Sequence, residues 1–281
     1  MSRFSNTLCS ALLVVAASPL GAQAAPKILQ INWETEKPGK GAAHEMHEKG
    51  WPAAMAAAGS PTHYIALTAM TGTAEALYIS GYESYAQMEA GQKANAAIPG
   101  LSAHLSKLAE KDGDFLSNYR ALIAEGIDSL SIGTAPDWPK VRGYRISMVR
   151  VRIGHAADYE RLRRIQRAAA DKAGMDMHVG IYRVTQGVSV PTFMIFRPFN
   201  SLAELDAWPA MGAKAAAATS REDGAEVAKL QEFITATDQN IFMISAAQSY
   251  PMPEMAKAAP DFWKGHPVLA PKAAAKPAAK K

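Results

Sequence analysis

An internal repeat constrains this chain more than any other feature. When the segment beginning at Ile28 is laid over the one beginning at Gly143, identical residues recur at one constant offset. Ile31 meets Ile146, Gly39 meets Gly154, Glu45 meets Glu160, Gly59 meets Gly174, His63 meets His178 and Gly72 meets Gly187. An offset held through strand, helix, turn and second strand marks one structural unit present twice, so the fold has to be assembled from two similar pieces.

The second copy gives the clearer periodicity. Residues 144–153 are rich in β-branched and aromatic side chains and predict a strand that ends at Gly154. A helix follows from Ala156 or Asp158, with Tyr159, Leu162, Ile165 or Gln166, and Ala169 as its buried stripe and Gly174 at its close. Strands are expected over 178–185 and 192–199, helices from Asn200-Ser201 through Trp208 and over 226–237, and a last strand over 241–247. In the first copy the corresponding strands are 28–34, 62–71 and 75–82, and the first helix is 41–58. Helical stretches are then expected over 101–111 and 115–125, with a short closing strand over 127–132. The order β-α-β-β-α-β is the ferredoxin-like plan, an α+β class. Helices cover one face of such a sheet, and the other face needs a partner. Two tandem units, residues 25–138 and 139–256, meet that need by packing their sheets into one intramolecular α/β barrel.

The ends of the chain read differently. Arg3, the apolar run from Leu12 to Ala17 and the small-x-small site Ala22-Gln23-Ala24 have the form of a cleavable signal over residues 1–24, which predicts a periplasmic or secreted protein beginning near Ala25. No later stretch approaches the roughly 20 apolar residues of a membrane helix. Cys9, the single cysteine, lies within that signal. Disulfides, cysteine nucleophiles and thiolate metal sites are therefore excluded from the mature chain. The formal charge of +4 comes from Arg3 and from Lys272, Lys276, Lys280 and Lys281, so the body between is near neutral. Residues 257–281 are read as a disordered Lys/Ala/Pro tail, suited to solubility or to contact with an anionic envelope surface. The basic residues form no stripe with interleaved aromatics, so nucleic-acid binding is not expected.

The segments Glu36-Lys37-Pro38-Gly39-Lys40, Tyr82-Glu83-Ser84-Tyr85-Ala86 and Phe199-Asn200-Ser201-Leu202-Ala203 give the chain, from Ile28 to Tyr250, a resemblance to the dimeric α/β-barrel superfamily. Within it the sequence resembles the NIPSNAP-like and antibiotic-biosynthesis-monooxygenase-like domains. The resemblance implies a barrel fold. It also implies a range of activities that spans cofactor-free oxygenases, haem-handling proteins and domains without a known reaction.

Differences between the copies point to chemistry. His44 and His47 share a helix face and overlay Tyr159 and Leu162 of the buried stripe. Either they are buried and need partners, with metal or haem iron among them, or the helix turns at Gly50-Trp51-Pro52 and both face solvent. Their His-Glu-Met-His setting is not the zincin motif, and no metal-ligating set is assigned. His63 and His178 enter the second strand of each copy, where a bond to a helix-end carbonyl is as good an explanation as a site. Arg145, Arg150, Arg152, Arg183 and Arg197 have no arginine counterparts in the first copy. Lining a cavity with Tyr182, they would favour an anionic ligand; at strand edges they would pair with Glu204 and Asp206. Met175 and Met177 beside His178 offer soft ligands for Cu(I), or simply packing.

Three functional readings follow. The first is an exported protein that binds a small apolar or anionic ligand in the barrel, through His44, His47, His63, His178, Tyr182 and Arg183. The second is a cofactor-free or haem-dependent monooxygenase-like enzyme. The third is a structural or interaction module of the envelope.

Overall fold

A computed structural model describes residues 24–264. Nearly all of the segment expected to be a signal, and most of the Lys/Ala/Pro segment at the other end, lie outside the described residues. The elements are β1 (Ile28–Glu36), α1 (Gly41–Glu48), α2 (Gly50–Ala58), β2 (Tyr64–Ala69), β3 (Glu75–Tyr82), α3 (Tyr85–Ala96), α4 (Leu101–Asp112) and β4 (Leu116–Gly126) in the first half. The second half holds β5 (Gly143–Val151), α5 (Ala156–Lys172), β6 (Gly180–Gln186), β7 (Thr192–Phe199), α6 (Trp208–Ala218), α7 (Arg221–Gln231) and β8 (Ile234–Tyr250), and α8 (Pro253–Ala258) follows.

The strands form one closed antiparallel barrel in the order β1-β3-β2-β8-β5-β7-β6-β4. Each half contributes four adjacent strands, and the β2–β8 and β4–β6 pairings close the ring. Alternation along the strands decides what fills it. Leu29, Ile31 and Trp33 of β1 point into the lumen beside Leu67, Leu77, Leu122, Ile146, Met148, Met194, Phe196 and Phe242. Trp33 meets Phe242 edge-on at 6.2 Å, and Tyr182 meets Phe196 edge-on at 5.5 Å. The lumen is thus a packed core of side chains.

The opposite strand faces lie under the helices. α1 and α2 are separate helices that meet at Lys49, just ahead of Pro52, whose ring cannot donate to the helical ladder. Gly59 closes α2 at φ 66°, a left-handed conformation that glycine adopts without penalty. The break bends the helix, yet His44 remains fully buried.

Four expectations need correction. Residues 116–126 form a strand, not a helix, paired along its length with β1. Its period-2 signal is masked because the inward positions at one end are polar: Arg120 lies over the Trp33 ring at 4.3 Å. Residues 127–132 are not a strand but a turn, tied to the sheet by an Ile132–Val179 bridge. The final helix ends at Gln231, and β8 begins at Ile234 rather than at 241. Packing also continues past 257, since Lys257 and Ala258 belong to α8 and Trp263 is 4% exposed. Among the described residues no helix is long and apolar enough to cross a membrane.

A candidate metal centre in the first half

The site is built on the outward face of β1. Glu34 follows the inward Trp33, so alternation turns its carboxylate toward α1. Across that gap α1 presents His44, His47 and Glu48, and the end of α4 supplies Asp112. His44 is 0% exposed. Its Nε2 lies 2.9 Å from Glu34 Oε2 and 3.6 Å from Glu48 Oε1, and its Nδ1 lies 3.2 Å from Glu36 Oε1. His47 Nε2 lies 2.9 Å from Asp112 Oδ1 and 3.1 Å from the Leu108 carbonyl. Phe115 packs against both rings.

So many carboxylates around one buried imidazole distort its acid–base behaviour. Burial disfavours the His44 cation, but the hydrogen bond to Glu34 and the charges of Glu48 and Glu34 outweigh it and push its pKa up to about 9. Burial, then the charge of Glu34, hold the Glu48 carboxyl up at about 8. Burial and Glu34 also raise Asp112. Tyr78 lies beside Glu48 with its hydroxyl held far above the ordinary phenol range, by burial first and by Glu48 next. Neither the Tyr78 hydroxyl nor Glu48 Oε1 reaches a hydrogen-bond partner among the described residues, although Tyr78 is 8% exposed and Glu48 2%.

The second half shows what these positions hold when they only pack. Lys37 N bonds to Phe115 O as Arg152 N bonds to Phe233 O, and His44 N bonds to Lys40 O as Tyr159 N bonds to His155 O. In the same register Glu34 faces Ala76 and Val149 faces Phe193. Glu34, His44, His47, Asp112 and Ala76 thus correspond to Val149, Tyr159, Leu162, Leu230 and Phe193, which form one apolar cluster. Five equivalent positions are apolar under the second helical layer. Four of them carry ionisable groups under the first.

Donor geometry suits a cation. Glu34, His44 and Glu48 place one ligand atom each within 4.8 Å of one another, and so do His47, Glu48 and Asp112. Ligands at about 2.0–2.2 Å from an ion stand about 3–3.6 Å apart, close to the separations around His44 Nε2. With Glu36 on Nδ1, the ring has the carboxylate–histidine arrangement that fixes a metal-binding tautomer. Both His44 nitrogens are engaged by carboxylates beneath packed helices. His47 is held by Asp112 and Leu108.

The other sequence candidates are not brought to this centre. His63 stacks on Tyr250 at 4.6 Å, and burial lowers its pKa. His178 Nδ1 bonds the Thr134 carbonyl at 2.7 Å, a loop carbonyl rather than the helix-end carbonyl expected of it. Tyr182 lies in the lumen and donates to the Pro26 carbonyl at 3.0 Å. Arg183, next along the strand, points outward and pairs with Glu160, so the two do not share a cavity. Met175 and Met177 pack against the cluster of Leu130, Ile132, Ala170 and Val179. Arg145 and Arg197 form no ion pair with Glu204, Asp206 or any other carboxylate among the described residues. Both stack on Trp208, at 4.5 and 3.7 Å. Glu34, Glu48 and Asp112 escaped the sequence reading. The overlay that exposed the histidines also sets Glu34 against Val149, a signal that was available.

No protein-family model matches the chain, and no curated protein matches it by sequence. Solved structures do match in fold. An anthrone oxidase-like protein superposes with a TM-score of 0.54 at 12% identity, covering 80% of this chain and 94% of that one. A "putative monooxygenase" from Fusobacterium nucleatum superposes with a TM-score of 0.52 at 8% identity, covering 79% and 94%. The fold is that of the ferredoxin-like α/β barrels. At these identities the likeness is one of fold.

Proposed function

We propose that the first helical layer is a divalent-metal centre and that the chain is an exported, metal-dependent enzyme, built by duplication of one ferredoxin-like unit. One observation carries this reading: the wholesale replacement of an apolar core by His44, His47, Glu34 and Asp112, with Glu48 beside them. A purely structural module gains nothing from that exchange, since apolar residues of similar volume hold a fold at least as well as buried ion pairs. The donor set, two imidazoles with carboxylates and no thiol, suits Mn(II), Fe(II) or Zn(II). Such an ion supplies Lewis acidity and lowers the pKa of bound water. Glu36 orients His44, and Glu48 with the Tyr78 hydroxyl beside it is placed to hold or pass a proton. Glu36, His47 and Asp112 are partly exposed, so solvent and ions reach the centre from that edge. The oxidase- and oxygenase-like names of two structures with this fold are compatible with redox chemistry on an organic substrate.

The test is metal content. Protein purified without chelator after growth with Mn, Fe and Zn is expected to retain at least one such ion per chain, and His44→Ala is expected to lose it. A wild-type protein that stays metal-free after loading and dialysis contradicts the proposal. Export is tested separately, by a mature N-terminus near Ala25 in intact-mass measurements of protein from its host.

A second reading has its own observation. Arg197, 8% exposed, lines a cavity of about 470 Å³ with His178, Asn200 and Trp208, and it forms no ion pair with Asp137, Asp176 or Glu204, which line the same cavity, or with any other carboxylate among the described residues. An unpaired buried guanidinium favours a small carboxylate or phosphate there. Titration with inorganic phosphate and with acetate, against Arg197→Met, checks this; equal responses of the two proteins would remove it.

A further inference from the structure

We infer that the centre is dinuclear, with the Glu48 carboxylate shared between two ions. This rests on the metal-centre reading above and goes further. The ionisable groups divide into two donor sets, Glu34/His44/Glu48 and His47/Glu48/Asp112, each with its ligand atoms within 4.8 Å of one another. Glu48 is the one member common to both. The two imidazoles do not compete for one position. Both Nε2 atoms are donors, but His44 Nε2 faces Glu34 and His47 Nε2 faces Asp112, each at 2.9 Å.

The spacing along α1 explains the division. His44 and Glu48 are one turn apart and share a face, which puts both against Glu34 of β1. His47, three residues after His44, is rotated toward the end of α4, where Asp112 and the Leu108 carbonyl lie. Glu48 is nevertheless within reach of both, its carboxylate lying within 4.8 Å of the ligand atoms of each set. A carboxylate has two oxygens and can accept at about four positions, so it can serve both neighbours at once. Its Oε1 makes no hydrogen bond among the described residues despite being buried, as expected of an oxygen whose partner is an ion. The buried Tyr78 hydroxyl is a second polar group turned toward the same carboxylate.

The sets differ in exposure. Glu34, His44 and Glu48 are all buried, whereas His47 and Asp112 are partly open. The inner ion should therefore be held more tightly and exchange more slowly than the outer one. Paired ions about 3.5–4 Å apart act on the attacking and leaving oxygens of a substrate or share a bound water, and the outer, more open position is the one a substrate would meet.

The full chain, freed of metal with a chelator and then removed from it, would be titrated with manganese(II) chloride. Bound metal would be counted by elemental analysis and spin coupling read by EPR. Two ions per chain with an exchange-coupled spectrum are expected. Asp112→Leu, which installs the residue found at the equivalent Leu230, is expected to retain one ion with an uncoupled signal. Glu48→Gln is expected to lose the coupling. His47→Gln provides the same reading as Asp112→Leu if that variant fails to fold, with circular dichroism as the check. One ion in the wild type overturns the dinuclear inference but leaves the metal centre standing. No ion overturns both. Two uncoupled ions, unchanged by Asp112→Leu and His47→Gln, would place the second ion elsewhere and also overturn the inference.

Discussion

The two halves of the barrel share strand order, helix placement and equivalent backbone hydrogen bonds, yet their helical layers are stabilised in different ways. Under α5 and α7, Val149, Tyr159, Leu162, Phe193 and Leu230 exclude water and pack. Under α1 and α4, the corresponding layer holds Glu34, His44, His47 and Asp112 with Glu48. The same backbone tolerates both, so the fold does not require the polar set. Buried charges that a fold does not need are best explained by what they bind.

The comparison can be broken most forcefully by moving charge into the apolar half. Val149→Glu places a carboxylate among Tyr159, Leu162 and Phe193 without a partner. It should cost on the order of 5 kcal/mol at neutral pH, measured by chemical denaturation. The reverse exchange, Glu34→Val, should leave the metal-free protein within about 2 kcal/mol of wild type, since it relieves carboxylate crowding. Equal losses from the two substitutions would mean that the halves are not built as described.

Removing the imidazole is the next largest effect. His44→Ala strips Glu34, Glu36 and Glu48 of their common partner and should destabilise the metal-free protein by about 3 kcal/mol. No measurable change in the urea midpoint would contradict the buried network.

The pH response has a definite sign. His44 is raised from 6.5 to about 9 and Glu48 from 4.5 to about 8, so both bind protons more tightly in the folded state. Their contribution is therefore complete below about pH 4.5 and is lost as pH rises toward about 9. Glu34, Glu36, His47 and Asp112 face these groups and enforce the direction. Denaturation of chelator-treated protein across this range should show stability falling with pH, and saturating metal should flatten the fall by replacing protons. A rise with pH would reverse the electrostatic assignment.

The smallest effect belongs to the surface of the second half. Arg183→Ala removes a half-exposed pair with Glu160 and should cost below about 1 kcal/mol. A larger loss would mean that this pair does more than hold the surface together.

How much of this was legible in the sequence depended on what the repeat exposed. The glycines and His63/His178 aligned the halves, and from them the barrel plan followed, because ferredoxin-like sheets leave one face to be covered. β4 escapes a period-2 reading because its inward residues change from Asn118 and Arg120 to Leu122 and Ala124, and Leu116, Tyr119 and Ile123 also satisfy a helical spacing. His44 and His47 stood out because they overlay Tyr159 and Leu162. Asp112 did not, because small insertions shift its offset from Leu230. Tyr182 and Arg183 were grouped although neighbours on a strand face opposite ways, a constraint that needs only the strand assignment. The lack of an ion pair at Arg197 and the shared position of Glu48 depend on packing between distant segments, which one sequence does not display.

The most direct test is an anomalous-difference map from crystals of the manganese-loaded full chain, recorded on both sides of the metal edge. The account predicts density between Glu34, His44 and Glu48, with a neighbouring peak beside His47 and Asp112 and none among Val149, Tyr159 and Leu162. Well-ordered side chains at Glu34, His44 and Glu48 with no anomalous density between them would contradict it.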